Sequence, residues 1–225
     1  MEQRTNEHIM ANSFQEYLLA SRRSSLPKFQ KIVREFPSLQ GIPDFVGMKG
    51  SSFSSEDAQL LERVYQAVGI NALSILSLCN SNRGRGMNYL LKLSAMNASR
   101  LNKLLQKLVQ LEALRLTKSG NYKRTFSIPS SDSEIWSFEL KLHDWRRALF
   151  QTAQSKSFAH RVIAVFPYAK RDLIQNNIEA FKIHGIGAML FDTETKRGEF
   201  LAKPRLCKPS SNTYALYAYS KFASQ

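Results

Sequence analysis

The chain reads as an α/β protein in which a mixed sheet, covered by helices, is interrupted midway by a basic and mostly helical insertion. Three observations predict this. From about residue 134 onward, strand-like and helix-like blocks alternate, and helical crossovers between strands imply a mixed sheet with covered faces. Between 53 and 130 the apolar period changes to helical. The serine-rich stretches "KGSSFSSED" and "IPSSDSE" bound that insertion. At 225 residues the chain can bury one large core or two small ones.

In chain order, residues about 5–23 fit a helix with Ile9, Phe14, Tyr17 and Leu18 on one side. The following "LPKFQKIVREFPSLQGIPDFVG" carries Pro and Gly that break helices, and two short strands fit it better. Ser55 can cap a helix running to about Ala67, with Leu60, Leu61 and Val64 inward. "NALSILSLCNS" and "MNYLLKLSA" are two further helices. "ASRLNKLLQKLVQLE" is another, with Leu101, Leu104, Leu105 and Leu108 at helical spacing. "ALRLT", "KSGN" and "YKRTFSIP" then read as strand, turn and strand. Beyond 131 the expected elements are strand Trp136–Leu142, helix Asp144–Ala159, strand Val162–Phe166, helix Lys170–His184, strand Gly187–Asp192 and a last strand near Glu199–Ala202. The tail "SSNTYALYAYSKFASQ" has no clear period and receives no element.

Composition narrows the function classes. Hydrophobic content of 43% and charged content of 22% are those of a globular protein. A formal charge of +14 attracts polyanions, and nucleic acid leads anionic membrane and acidic protein as partner. The absence of a long apolar run and of a signal-peptide pattern argues against a membrane partner and for a cytoplasmic protein. Cys79 and Cys207 stand far apart without a CxxC or histidine cluster, so reduced thiols are expected and zinc is not.

The order of three helices and a two-stranded ribbon over about 53–130 is similar to a winged helix-turn-helix, in which the third helix enters the major groove and the ribbon meets the backbone. Between Ile75 and Ser130 there are ten basic residues and one acid, Glu112. By that resemblance the DNA-contacting residues are Arg100, Asn102, Lys103 and Lys107 on the third helix, with Lys118, Lys123 and Arg124 on the wing. A solvated basic bundle, or a winged helix used for protein contacts, is the bland alternative.

The second motif is split by the insertion. "GIPDFVG" sets Asp44 at the start of a short apolar strand, and "FELK" places Glu139 and Lys141 two apart, on one side of another strand. Pro43-Asp44 followed by Glu139-Leu140-Lys141 resembles the PD-(D/E)XK nucleases, the restriction-endonuclease-like family, over about 1–52 and 131–225. The resemblance implies a divalent cation, Mg2+ or Mn2+, held by Asp44, Glu139 and the Leu140 carbonyl. Lys141 would orient the attacking water and hold the scissile phosphate. Gln151, on the helix "HDWRRALFQTAQ" that follows, matches a glutamine packed near the metal, and Glu16 is the first-helix glutamate best placed to assist, with Glu7 second. The chemistry suits these residue types, because phosphodiester hydrolysis uses hard oxygen ligands around a cation that neutralises phosphate charge.

Asp44 and Glu139 are 95 positions apart, where simpler members of that family have a short hairpin. An insertion at the hairpin tip would leave the two strands adjacent, with the basic unit expected beside the catalytic edge. DNA is then the partner, and a homodimer is left open. Two rival readings remain: a DNA-binding regulator, whose sheet senses a ligand or dimerises, and a degenerate nuclease fold used as an interaction module. His143 could act as a catalytic histidine, or be an exposed histidine at a strand end.

Overall fold

The computed structural model describes residues 2–20, 25–50, 54–128 and 133–224. The helix end expected at 23 and much of both serine-rich boundaries, at 51–53 and 129–132, lie outside them. The helices are α1 Glu2–Ala20, α2 Ser55–Val68, α3 Ile70–Leu78, α4 Met87–Ser94, α5 Ala98–Gln110, α6 Trp145–Gln154, α7 Arg171–Asn176, α8 Ile178–Ile183 and α9 Asn212–Ser224. The strands are β1 Lys31–Arg34, β2 Phe45–Lys49, β3 Leu114–Leu116, β4 Tyr122–Arg124, β5 Glu134–Leu140, β6 Arg161–Pro167, β7 Gly187–Asp192 and β8 Arg197–Ala202. The chain divides into two compact units, 1–51 with 131–210, and 52–130 with 211–225.

The first unit is built on a six-stranded sheet of order β1-β2-β5-β6-β7-β8. β5, β6 and β7 run parallel, and β1–β2, β2–β5 and β7–β8 are antiparallel pairs. β6 is buried on both faces, as its unbroken apolar run "VIAVF" requires of a central parallel strand. On one face α1 presents Met10, Phe14, Tyr17 and Leu18 at helical spacing to Trp136, Phe138, Leu140, Val165 and Phe191. Phe14, fully buried, has ring contacts at 5.7 Å with Phe45, 5.6 Å with Phe138 and 5.1 Å with Phe191. Burial on this scale contributes about 3 kcal/mol for such a side chain. Phe29 also joins this core, and only a glycine at position 47 lets it do so, because a Cβ there would fall 2.7 Å from the Phe29 ring.

Alternation assigns the other residues of β5, Ile135, Ser137 and Glu139, to the opposite face. α6 packs against β5 and β6. The far end of the β2–β5 pair is tied by Glu134, which accepts from Lys49 Nζ at 3.1 Å, from Trp136 Nε1 at 3.0 Å and from Arg161 Nε at 2.8 Å. Burial opposes ionisation of Glu134, but the hydrogen bonds from Arg161 and Lys49 outweigh it and hold the carboxyl below the usual range.

In the second unit, Ser54, one residue before the expected Ser55, caps α2 by accepting from the Asp57 N–H, and Asn97 caps α5 by accepting from the Arg100 N–H at 2.8 Å. Leu101, Leu104, Leu105 and Leu108 form the buried face of α5. β3 and β4 make a ribbon, and Arg85 adds an isolated bridge to Tyr122. That approach is close: a Cβ on Gly84 would lie 2.6 Å from Asn121 Cβ.

Two expectations change here. The tail, assigned from sequence to the first unit through residue 225, is α9 from Asn212 and packs on α2 and α3 in the second. The single helix expected over Lys170–His184 is two, α7 and α8, broken at Asn177, whose side chain donates to the Leu173 carbonyl in place of a continuing ladder. Among the described residues no helix is long and apolar enough to cross a membrane.

Candidate functional site

β2 and β5 are antiparallel neighbours, with Phe45 opposite Phe138. Continuing that register by one step sets Asp44 across from Glu139, on the same face of the sheet. Directly opposed residues have Cβ atoms about 4.5–5.5 Å apart, close enough for two carboxylates to share one cation. Residues 95 positions apart are thus brought together by backbone pairing.

Each member is held in place. Asp44 Oδ2 accepts from the Leu140 N–H at 2.7 Å, and the Asp44 carbonyl accepts from the Glu35 N–H at 2.8 Å. Glu139 is 5% exposed, and its Oε1 lies 3.0 Å from Lys141 Nζ. Burial is the main cause that pushes Glu139 up to about 7; the nearby charge of Asp44 adds to it, while Lys141 and Arg147 pull the other way. Burial likewise raises Asp44, against the Leu140 hydrogen bond and Lys141, with Glu7 and Glu35 adding repulsion. Burial, more than mutual repulsion, is what makes ionisation of this pair costly.

Such a donor set suits a hard divalent cation. Two carboxylates with raised pKa values favour a cation between them, and Asp44 retains one oxygen that is not committed to Leu140. Among the described residues no group of three or more His, Cys, Asp or Glu is arranged to hold a metal. Gln151 lies one turn along α6 from Arg147, and its Oε1 is buried without a hydrogen-bond partner. A buried acceptor of this kind is suited to a bound water.

Glu16 does not join this group. Its carboxylate is paired with Lys196. Glu7, from the same helix, is the one whose charge reaches Asp44. Glu35 and Arg147 also act on this pair, and the sequence pattern does not mark them as members of the pocket. Arg147 was legible only as part of a basic helix face, whereas Glu35 depends on a left-handed turn, φ 51°, that no local residue pattern announces. His143 is exposed just beyond Lys141.

The insertion leaves and returns at the other end of the strand pair. Lys49 is opposite Glu134, four residues from the Phe45–Phe138 end, a distance of about 13 Å along a strand.

In the second unit Arg100, Asn102, Lys103 and Lys107 are exposed on α5, opposite its leucine face, and Lys118 is exposed in the β3–β4 turn. Lys123 is half-buried. Arg124 is a correction: it is 6% exposed, lies over the Phe126 ring at 5.3 Å, and has two guanidinium nitrogens buried without partners. Consecutive strand residues leave opposite faces, so Lys123 and Arg124 cannot both face a ligand. The residue sharing the Lys123 face is Arg115, its exposed cross-strand partner.

The chain matches no protein-family model, no curated protein and no solved structure.

Proposed function

We propose that the first unit is a metal-dependent nuclease of the PD-(D/E)XK kind and that the second is a winged helix-turn-helix that binds DNA. The observation that carries this is the opposed pair Asp44 and Glu139 at one end of β2–β5, with Lys141 on the Glu139 carboxylate. Asp44, Glu139 and the Leu140 carbonyl would hold Mg2+ or Mn2+. A cation bound there supplies charge neutralisation to the phosphate and a more acidic attacking water. Lys141 orients that water and holds a phosphate oxygen, Arg147 adds positive charge, and Gln151 accepts a hydrogen bond from the water. A cytoplasmic location accords with this reading.

A regulator would need the basic face of the second unit but gives no reason for two buried carboxylates to meet. The deciding measurement is incubation of the purified chain with plasmid and single-stranded DNA, with Mg2+ or Mn2+ and with chelator. Cleavage that depends on the cation is expected; cleavage undiminished by chelator, or none with either cation, ends the nuclease reading.

The binding half has its own test. Exchanging Arg100, Lys103 and Lys107 for Gln should lower duplex affinity and reduce the slope of log K against log salt by about 3, close to one released counterion per lost phosphate contact. An unchanged slope would assign this face to another partner. Arg124→Gln should leave the slope alone, since that side chain is buried.

A further inference from the structure

Two arginines of the second unit carry buried charge that nothing around them offsets. Arg124, on β4, is 6% exposed, and its Nε and Nη1 are buried without a hydrogen-bond partner. Arg85, in the connection between α3 and α4, is half-buried, and its Nε is in the same condition. Burial lowers the pKa of Arg124, and among the described residues the one group that pulls the other way is Cys79. Burial in turn pushes the Cys79 thiol up to about 11, so near neutral pH it is uncharged and leaves both guanidiniums uncompensated.

The two guanidiniums belong to one site. Arg85 bridges Tyr122 in the antiparallel sense, and Tyr122 and Arg124 stand two apart on β4, so alternation sends Arg85 and Arg124 to the same face. The Arg124 N–H donates to the Asn80 carbonyl at 3.0 Å, which holds β4 against the same connection. Both charges reach the Cys79 thiol. Each guanidinium also lies against an aromatic ring, Arg85 at 4.4 Å from the Tyr89 centroid and Arg124 at 5.3 Å from that of Phe126. Stacking occupies the flat face of a guanidinium and leaves its edge N–H groups to find acceptors. Tyr89 is in the first turn of α4, whose cap residue, Gly86, supplies no side-chain hydrogen bond, so the open N–H groups of that turn add positive potential beside Arg85.

Buried charge of one sign is strongly unfavourable until an opposite charge joins it. N–H groups on two separate forks call for several acceptor oxygens on one multiply charged ligand, which a single chloride does not provide. We propose that Arg85 and Arg124 form a binding site for a small tetrahedral oxyanion, inorganic phosphate or the terminal phosphate of a small molecule. The bound anion ties the wing strand β4 to the α3–α4 connection. It is a free anion rather than a phosphate of the nucleic-acid backbone, because the unpartnered nitrogens of Arg124 lie beneath the surface that a backbone follows.

The test is thermal melting of the full chain in chelator, titrated with sodium phosphate at an ionic strength held constant with sodium chloride. Phosphate should raise the wild-type melting temperature by several degrees beyond chloride alone. Arg124→Met removes an unpaired buried charge, so without phosphate it should melt no lower than the wild type, and phosphate should not move it. Arg85→Gln, at a half-buried position, should weaken phosphate binding roughly tenfold or more, the scale of a lost charged hydrogen bond, and it decides the matter should Arg124→Met not fold. A wild type that phosphate shifts no more than chloride does, or a shift undiminished by Arg85→Gln, overturns the proposal. Arg124→Gln distinguishes the two sources of phosphate. Loss of the response to free phosphate with an unchanged salt slope for DNA is expected, whereas a slope reduced by about one would assign the site to the DNA backbone and overturn the proposal.

Discussion

If the first unit is a nuclease as proposed, Lys141→Ala and Asp44→Asn should each lower its cleavage by roughly a thousandfold or more, about 4 kcal/mol of transition-state stabilisation, while leaving the fold intact. Asp44→Asn keeps an oxygen for the Leu140 N–H and removes only the charge, so its loss reports on the cation rather than on β5. Lys141 is partly exposed at the edge of its pocket, and truncation there opens no core cavity. The pH dependence adds a second check. A carboxyl pushed up to about 7 is mostly protonated at pH 6, and a cation must displace that proton. Cleavage at sub-saturating Mg2+ should therefore rise with pH up to about 7 and level off above it, with saturating Mg2+ flattening the rise. Lys141→Ala retaining a tenth of wild-type activity, or a rate indifferent to pH at low Mg2+, would remove this pair from the chemistry.

How much of this was legible in the sequence depended on whether a residue's surroundings are local. The strands of the first unit lie close to where alternation and apolar runs place them, because β5 and β6 take their patterns from faces buried by their neighbours. The leucine face of α5 was equally plain. The tail was not, and the structure supplies the reason: Ala215, Leu216, Tyr217, Ala218, Tyr219, Ser220 and Phe222 are all buried, so α9 is covered nearly all round and has no polar face to reveal a helical period. Its polar residues are matched across the fold instead, as when Lys221 pairs with Glu62 at 3.0 Å.

The candidate site divides along the same line. Glu139 and Lys141 are conspicuous within a strand because they are charged where an apolar residue is expected, but nothing near Asp44 indicates that it stands opposite them. That pairing became legible only through a family resemblance and an allowance for the intervening insertion. Choosing between Glu7 and Glu16 required knowing which turn of α1 lies near the pocket and which meets the β7–β8 turn at Lys196. Arg124 leaves the wing surface for a simpler reason: a two-residue period sets Lys123 and Arg124 on opposite faces, and Arg124 takes the buried one.

Glu139→Gln should make the metal-free protein more stable at pH 8, in the same substitution that destroys its activity. The sign follows from proton uptake. Glu139 ionises near 4.5 in an unfolded chain and near 7 in the folded one, so between these values the folded state binds more protons and its stability falls as pH rises. Above pH 7 the whole cost is present, up to about 3 kcal/mol for a shift of this size. Asp44 is raised in the same direction and adds to the decline. Glutamine cannot ionise and still offers an oxygen to Lys141, so the variant escapes the part of the decline that Glu139 causes, and its melting temperature at pH 8 should exceed that of the wild type by several degrees. At pH 4.5 the two should converge. Adding Mg2+ at pH 8 should raise the wild type toward the variant and leave the variant nearly unmoved, because a cation stabilises only the form that binds it. Thermal melts of both proteins at pH 4.5 and 8, with and without Mg2+, measure all four terms. A variant no more stable than the wild type at pH 8 would mean that Lys141 and Arg147 already balance Glu139, and the pocket would lose its need for a cation.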